Sequence, residues 1–305
     1  MPTHSSDAAL DVMKLRSLLF VPGDQVSRMH KALASPADAL ILDLEYSVAV
    51  DRKAMARGAV ADFLQSQDIK TKLFVRINPI DGNDGAADLA AVVGPNLAGV
   101  VLPKSEGAHS VEQVGRLLSD LEGARGLEIG SVRVLPIATE TPAAIFGLGS
   151  YGAVHRRLAG LTWGAEDLPA AIGALSSREA DGRFTAPYEL VRSLALFGAC
   201  AAGVQAIETV YPPIRDLDGL AAYVARARRD GFTGMMAIHP AQVPVINDGF
   251  TPTAQEIAFA RAIVDAFAER ADAGALAIDG KMVDRPHLIQ AKKLLARADL
   301  GDACE

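Results

Sequence analysis

Charged side chains recur at one kind of place in this 305-residue sequence, at or just beyond the end of a short apolar run. Glu45, Arg76, Lys104, Glu140, Asp167, Glu208 and His239 all occupy such positions. Glu140 and Asp167 are oxygen donors with no cysteine or clustered histidine nearby, a ligand set that favours a hard cation. The expected form is Mg²⁺ held by two carboxylates, with water and substrate oxygens filling the octahedron and Mn²⁺ as a substitute. The competing reading is a structural salt bridge from either acid to Arg76 or Lys104. Arg76, in Val-Arg-Ile-Asn, carries a planar five-donor fork suited to a substrate carboxylate or a developing enolate; its plainer role is to hold a buried carboxylate in place. His239, in Ala-Ile-His-Pro, reads equally as a hydrogen-bonding residue of the fold or a catalytic one.

These groups act together only if the fold brings the ends of their runs to one rim. Eight runs rich in Val, Ile and Leu lie at residues 17–22, 39–45, 72–78, 98–104, 133–140, 158–164, 205–211 and 234–239. They are nearly continuous in hydrophobicity, as parallel strands buried on both faces are, although 158–164 is marginal. Their spacing of about 31 residues matches a strand–helix unit with its returning strand, and helical patterns such as 26–33 and 110–118 fill the intervals. Thr185, Pro187 and Gly203 bracket a crossover helix over 187–202. Eight even units predict a (β/α)8 TIM barrel, with an open doubly wound sheet as the competitor. In a barrel, the C-terminal strand ends face a common active site. By position alone, Arg16 opens the first strand and belongs on the opposite rim.

The predicted layout is a tail over 1–14, a barrel over 15–250 and a C-terminal helical extension over 251–305. Within the extension, 253–270 and 285–298 read as helices joined by a loop over 271–284 with no strand.

Composition removes several classes of function. With 50% hydrophobic and 22% charged residues the chain is neither disordered nor fibrous, and its net charge of −7 without a dense basic cluster argues against nucleic acid. Cys200 and Cys304 have no zinc spacing and suit a reducing cytoplasm. The opening 13 residues lack an apolar core, and no run approaches the roughly 20 residues needed to cross a membrane. Gly147-Leu-Gly-Ser-Tyr-Gly152 matches a dinucleotide fingerprint in letters only, because Thr-Pro-Ala-Ala-Ile-Phe separates it from the preceding run.

Taken together, Arg16-Ser-Leu-Leu-Phe-Val-Pro-Gly, Ile41-Leu-Asp-Leu-Glu, Val75-Arg-Ile-Asn, Leu102-Pro-Lys, Glu140-Thr, Trp163-Gly-Ala-Glu-Asp-Leu and Ala237-Ile-His-Pro-Ala-Gln resemble the citrate lyase β-subunit-like branch of the HpcH/HpaI aldolase superfamily. The resemblance runs in order from Arg16 to about Ala298 and includes Gly280-Lys-Met-Val-Asp284. It implies a Mg²⁺-dependent lyase or synthase acting on 3-hydroxy acyl-CoA thioesters such as malyl-, citramalyl- or citryl-CoA, with CoA as part of the substrate. Carried over by position, Glu140 and Asp167 become metal ligands, and Arg76, Asp284 and Glu45 the catalytic set. Arg16, Arg76 and Lys104 become substrate contacts. Lys14 and Arg28 supply part of a phosphate patch. Asp284 matches an acid that, in family trimers, reaches a neighbouring subunit's site, which implies a homotrimer or hexamer. Leu44-Glu45-Tyr46 departs from the family's Leu-Glu-Asp, and Glu208 stands where Asp is usual, which puts the substrate in question. The alternatives are a CoA-independent aldolase of 2-keto-4-hydroxy acids and a weakly active or non-catalytic subunit of a larger lyase.

Overall fold

The computed structural model describes residues 13–65 and 69–302; Cys304 and most of the predicted tail lie outside them. The chain divides into two compact units, one spanning Leu15–Gly249 and the other running from Phe250 onward.

In the first unit the described residues form eight strands: β1 (Ser17–Pro22), β2 (Ala39–Asp43), β3 (Lys72–Arg76), β4 (Leu97–Leu102), β5 (Arg133–Pro136), β6 (Leu161–Thr162), β7 (Ala206–Glu208) and β8 (Gly234–Ala237). Their order is β5-β4-β3-β2-β1-β8-β7-β6, and every pairing is parallel. Isolated parallel bridges Val134↔Leu158 and Ile137↔Thr162 join β5 to the β6 segment, so the sheet curls into a nearly closed barrel. Leu40, Ile41 and Leu42 are all fully buried because neighbours cover both faces of the strand. Each such side chain contributes about 1.5–3 kcal/mol on leaving water. Surrounding helices include Val26–Ala32, Ala108–Ala124, Ala186–Ala202 and Leu217–Asp230.

Several strands are shorter than the apolar runs that announced them. β2 stops at Asp43, β5 at Pro136 and β7 at Glu208, and the residues after them leave the ladder to build the rim. Thr185 holds the N-cap position of Ala186–Ala202 without a side-chain capping hydrogen bond, while Gly203 closes that helix in the left-handed conformation (φ 70°) that glycine adopts cheaply. Gly147 ends the helix Pro142–Gly147 and the chain continues in 3-10 turns, the wrong context for a dinucleotide-binding loop.

Glu208 points away from the rim, and His239 bonds locally. Glu208 is fully buried and accepts hydrogen bonds from Trp163 Nε1 and from Arg192 Nε at 2.7 Å, while Arg192 Nη1 reaches Asp230 at 2.8 Å. Its carboxylate therefore ties β7 to the helix Ala186–Ala202, because alternate strand residues point to opposite faces. His239 folds back locally, its Nδ1 accepting the Ala241 N–H at 3.2 Å. The Glu208 pair is open to test: Arg192→Met strands a buried carboxylate and should cost about 3–5 kcal/mol in urea unfolding, whereas a loss below about 1 kcal/mol contradicts a buried, mutually dependent pair.

The second unit corrects the extension. Between the helices Ala254–Glu269 and Arg285–Asp302 lies an antiparallel hairpin, β9 (Ala275–Ile278) with β10 (Lys281–Asp284), where a continuous loop was expected. Its two-residue turn is Asp279-Gly280, both with positive φ (47° and 74°), the backbone a tight hairpin needs. Ala260, Ile263, Phe267, Val283 and Ala291 form this unit's own core. No helix among the described residues is long and apolar enough to cross a membrane.

Candidate active site

The site begins with two neighbouring strands. Asp43 and Arg76 stand opposite one another in the β2–β3 register, so their side chains leave the same face. Arg76 Nε and Nη2 donate to the two Asp43 oxygens at 2.7 and 2.6 Å, a fork-on-fork pair, and Nη1 lies 3.3 Å from Glu45 Oε2. Asp43 also accepts the backbone N–H groups of Glu45 and Ser47. Burial pushes the Asp43 carboxyl up, but the hydrogen bonds and charge of Arg76 outweigh it and leave the group below its ordinary range. Glu45 is raised, because burial there exceeds the relief from Arg76 and Lys104.

Lys104, just after β4, is the second organising residue. Its φ of 51° is left-handed, which costs a side-chain-bearing residue about 1–3 kcal/mol and marks a constrained turn. In that turn its backbone N–H donates to Glu140 Oε2 at 2.5 Å. Its ammonium donates to Tyr46 Oη at 2.9 Å and lies 3.3 Å from Glu45 Oε1. Tyr46 in turn donates its hydroxyl to Asp167 Oδ1. Burial pulls the Lys104 ammonium down, but the Tyr46 hydrogen bond and the charges of Glu45, Asp167 and Glu140 hold it well above the usual lysine range.

Glu140 sits past β5 and Asp167 past β6. Burial drives the Glu140 carboxyl up to about 8; the Lys104 N–H opposes the rise, and the charges of Asp167 and Glu45 add to it. Such crowding of two buried acids and the half-buried Asp167 is what a divalent cation relieves. Gly164 keeps the space beside Glu140 open, since a Cβ there would stand 3.0 Å from Glu140 Cγ and 3.1 Å from Ile137 Cγ2. Among the described residues no third Asp, Glu, His or Cys joins a metal-binding group. The residues present fit a hard cation with two protein carboxylates and its other positions left to water and substrate.

All this borders a cavity of about 480 Å³ at the C-terminal strand ends. Arg28, Asp43, Tyr46, Ser47, Arg76, Glu140, Glu166, Asp167 and Thr209 supply its polar lining, and Phe20, Ile137 and Met236 part of its apolar wall. Glu45 and Lys104 stand just behind, hydrogen-bonded or ion-paired to lining groups. Arg16 is not brought there. Its guanidinium and backbone N–H bind Asp38 at 2.8–2.9 Å, at the N-terminal ends of β1 and β2, which is where position along the strand puts it and not where the resemblance carried it. Asp284 belongs to the second unit, where it pairs with His287 Nδ1 at 2.5 Å and is held below its ordinary range by that bond.

Asp43 was not among the residues expected here. Its signal was present in Ile41-Leu-Asp-Leu-Glu, where an acid inside an apolar strand alternates with Glu45 at the two-residue period of one sheet face. Tyr46 is expected to bear on substrate choice and activity; its bond to Asp167 is not part of that expectation.

Known proteins share this arrangement of sequence and fold. The model of the HpcH/HpaI aldolase/citrate lyase family matches residues 16–240. Citrate lyase subunit beta of Haemophilus influenzae is 35% identical over 295 residues, 95% of this chain and 99% of that one. A (3S)-malyl-CoA thioesterase of Cereibacter sphaeroides is 33% identical over 287 residues, covering 93% of this chain and 94% of its own. The crystal structure of CitE from Mycobacterium tuberculosis with magnesium, acetoacetate and coenzyme A superposes with a TM-score of 0.74 at 36% identity, covering 94% of this chain and 98% of that one.

Proposed function

The chain belongs to the HpcH/HpaI aldolase/citrate lyase family, and from that membership and the rim cavity we propose a Mg²⁺-dependent carbon–carbon lyase of 3-hydroxy acyl-CoA thioesters such as malyl-, citramalyl- or citryl-CoA. The observation that carries the reading is the convergence of Glu140, Asp167 and Arg76 on one cavity. Cleavage removes the 3-hydroxyl proton and breaks the C2–C3 bond; the bonding pair passes to the thioester as an enolate, and C2 then takes up a proton. The products are an acetyl-CoA-type thioester and a 2-oxo acid, and the reverse reaction is a synthase. Glu140 and Asp167 would hold the Mg²⁺, which would supply Lewis acidity to the reaction.

The chain's own groups do the rest. Asp43 fixes Arg76 through Nε and Nη2, so Nη1 presents a preset donor to the enolate oxygen. Glu45, buried behind Arg76 and Lys104, is a positioning residue in this reading. Phe20, Ile137 and Met236 keep water from the enolate, and Arg28 at the cavity takes a CoA phosphate. Asp284 of a neighbouring subunit delivers the proton to C2, which makes the assembly a homotrimer or a hexamer. Exposed Phe146, Leu190 and Phe197 offer apolar surface for self-association. The exposed free thiol of Cys200 suits a reducing cytoplasm.

A panel of malyl-, citramalyl- and citryl-CoA beside a free 2-keto-4-hydroxy acid tests the substrate class. Turnover confined to a thioester supports the reading, and turnover of the free acid alone makes the protein a CoA-independent aldolase. The malyl-CoA thioesterase relative favours one second reading, hydrolysis at the same site, which releases free CoA instead of acetyl-CoA. For the shared site, Asp284→Asn and Arg76→Met proteins, each inactive alone, should regain activity in mixed oligomers. A site is whole when its own subunit supplies Arg76 and its neighbour Asp284, about one site in four in a random mixture. No recovery in verified mixed oligomers contradicts the sharing.

A further inference from the structure

Tyr46 stands between a cation and a carboxylate. The Lys104 ammonium is 2.9 Å from the phenol oxygen but 3.6 Å from Asp167 Oδ1, so it donates to the phenol, which passes a neutral hydrogen bond on to Asp167. The ring packs under the same ammonium, 4.7 Å from its centroid, and the Arg76 guanidinium carbon lies 5.7 Å from that centroid. Glu45 Oε1, 3.3 Å from Nζ, holds the ammonium from its other side. Tyr46 itself is 61% exposed, so this arrangement is not a product of core packing.

We propose that Tyr46 is a positioning residue that keeps the Lys104 ammonium off Asp167 and leaves that carboxylate to a divalent cation; the inference deepens the function above and rests on Glu140 and Asp167 being the cation's ligands. An ammonium bonded directly to Asp167 neutralises the charge that a divalent ion needs and must be displaced before the ion binds. A phenol hydrogen bond orients the carboxylate while leaving its charge intact, as groups behind a metal ligand do. Without the hydroxyl, Nζ, already in ion-pair range of Asp167 Oδ1 at 3.6 Å, closes to a direct hydrogen-bonded pair.

The test is Mg²⁺ titration by calorimetry, repeated with Mn²⁺ by electron paramagnetic resonance, on the full chain and its Tyr46→Phe, Lys104→Met, doubly substituted and Glu140→Gln forms. Tyr46→Phe keeps the ring and should melt like the wild type while binding Mg²⁺ about tenfold more weakly. In the Lys104→Met background the same change should alter affinity by no more than about twofold, since the ammonium it restrains is gone. Unchanged or tighter binding in Tyr46→Phe overturns the positioning role. Equal weakening in both backgrounds overturns the shielding of Asp167 from Lys104. Wild-type affinity in Glu140→Gln overturns the cation site beneath the inference, a failure distinct from the other two.

Discussion

Glu140→Gln folds normally, binds Mg²⁺ at least about 100-fold more weakly and loses about 10³-fold or more in turnover. The amide keeps the shape of the carboxyl and its oxygen still accepts the Lys104 N–H, so the local turn survives. What disappears is the charge. Lewis-acid assistance is worth several kcal/mol, and each 1.36 kcal/mol is tenfold in rate, which sets the size of the effect. The same change should not destabilise the metal-free protein. The Glu140 carboxyl is raised from 4.5 to about 8, so the folded state holds its proton more tightly than the unfolded chain, and stability is lost as pH rises between those values. Glu140→Gln removes that loss, and its metal-free melting temperature at pH 8 should equal or exceed the wild type's. Wild-type Mg²⁺ affinity by calorimetry, or a lower melting temperature at pH 8, contradicts the assignment.

Arg76→Lys keeps the charge and still costs about 10²–10³-fold in kcat. A lysine is a point donor on a flexible stem; it cannot satisfy both Asp43 oxygens at 2.6–2.7 Å and leave a fixed donor at the enolate. Mg²⁺ affinity should move little, because Arg76 bonds to Asp43 and Glu45, not to Glu140 or Asp167, the proposed ligands. Steady-state kinetics beside Mg²⁺ titration separate the roles. A variant with normal kcat and weak Mg²⁺ binding contradicts both halves of this prediction.

The barrel was legible because parallel strands covered on both faces leave an unbroken apolar signature, and even β6, only two residues long, lies inside its run at 158–164. Position at a strand end also predicted that Glu140, Asp167, Arg76, Glu45 and Lys104 meet around one cavity. It failed for Glu208 because a run's end says nothing of which face its last residue takes, and one step along a strand turns a side chain from the barrel interior to the helices. Asp43 was hidden by the reverse bias: an acid within an apolar run reads as an interruption until Arg76 is seen beside it in register. The hairpin β9–β10 was missed although Asp279-Gly280 between Ala-Leu-Ala-Ile and Lys-Met-Val is a local turn signal. Its strands are mostly exposed or half-exposed, so no buried apolar run announced them. Tyr46 could be read only as a departure that bears on the substrate, since its contact is with Asp167, 121 residues away.

Carbon–carbon cleavage is tested most directly by what the thioester becomes. With Mg²⁺ and the thioester preferred from the panel, the protein should release acetyl-CoA and the matching 2-oxo acid in equal amounts, and neither in EDTA. Free CoA with intact hydroxy acid, or no product from folded protein that binds Mg²⁺, contradicts carbon–carbon cleavage at this site.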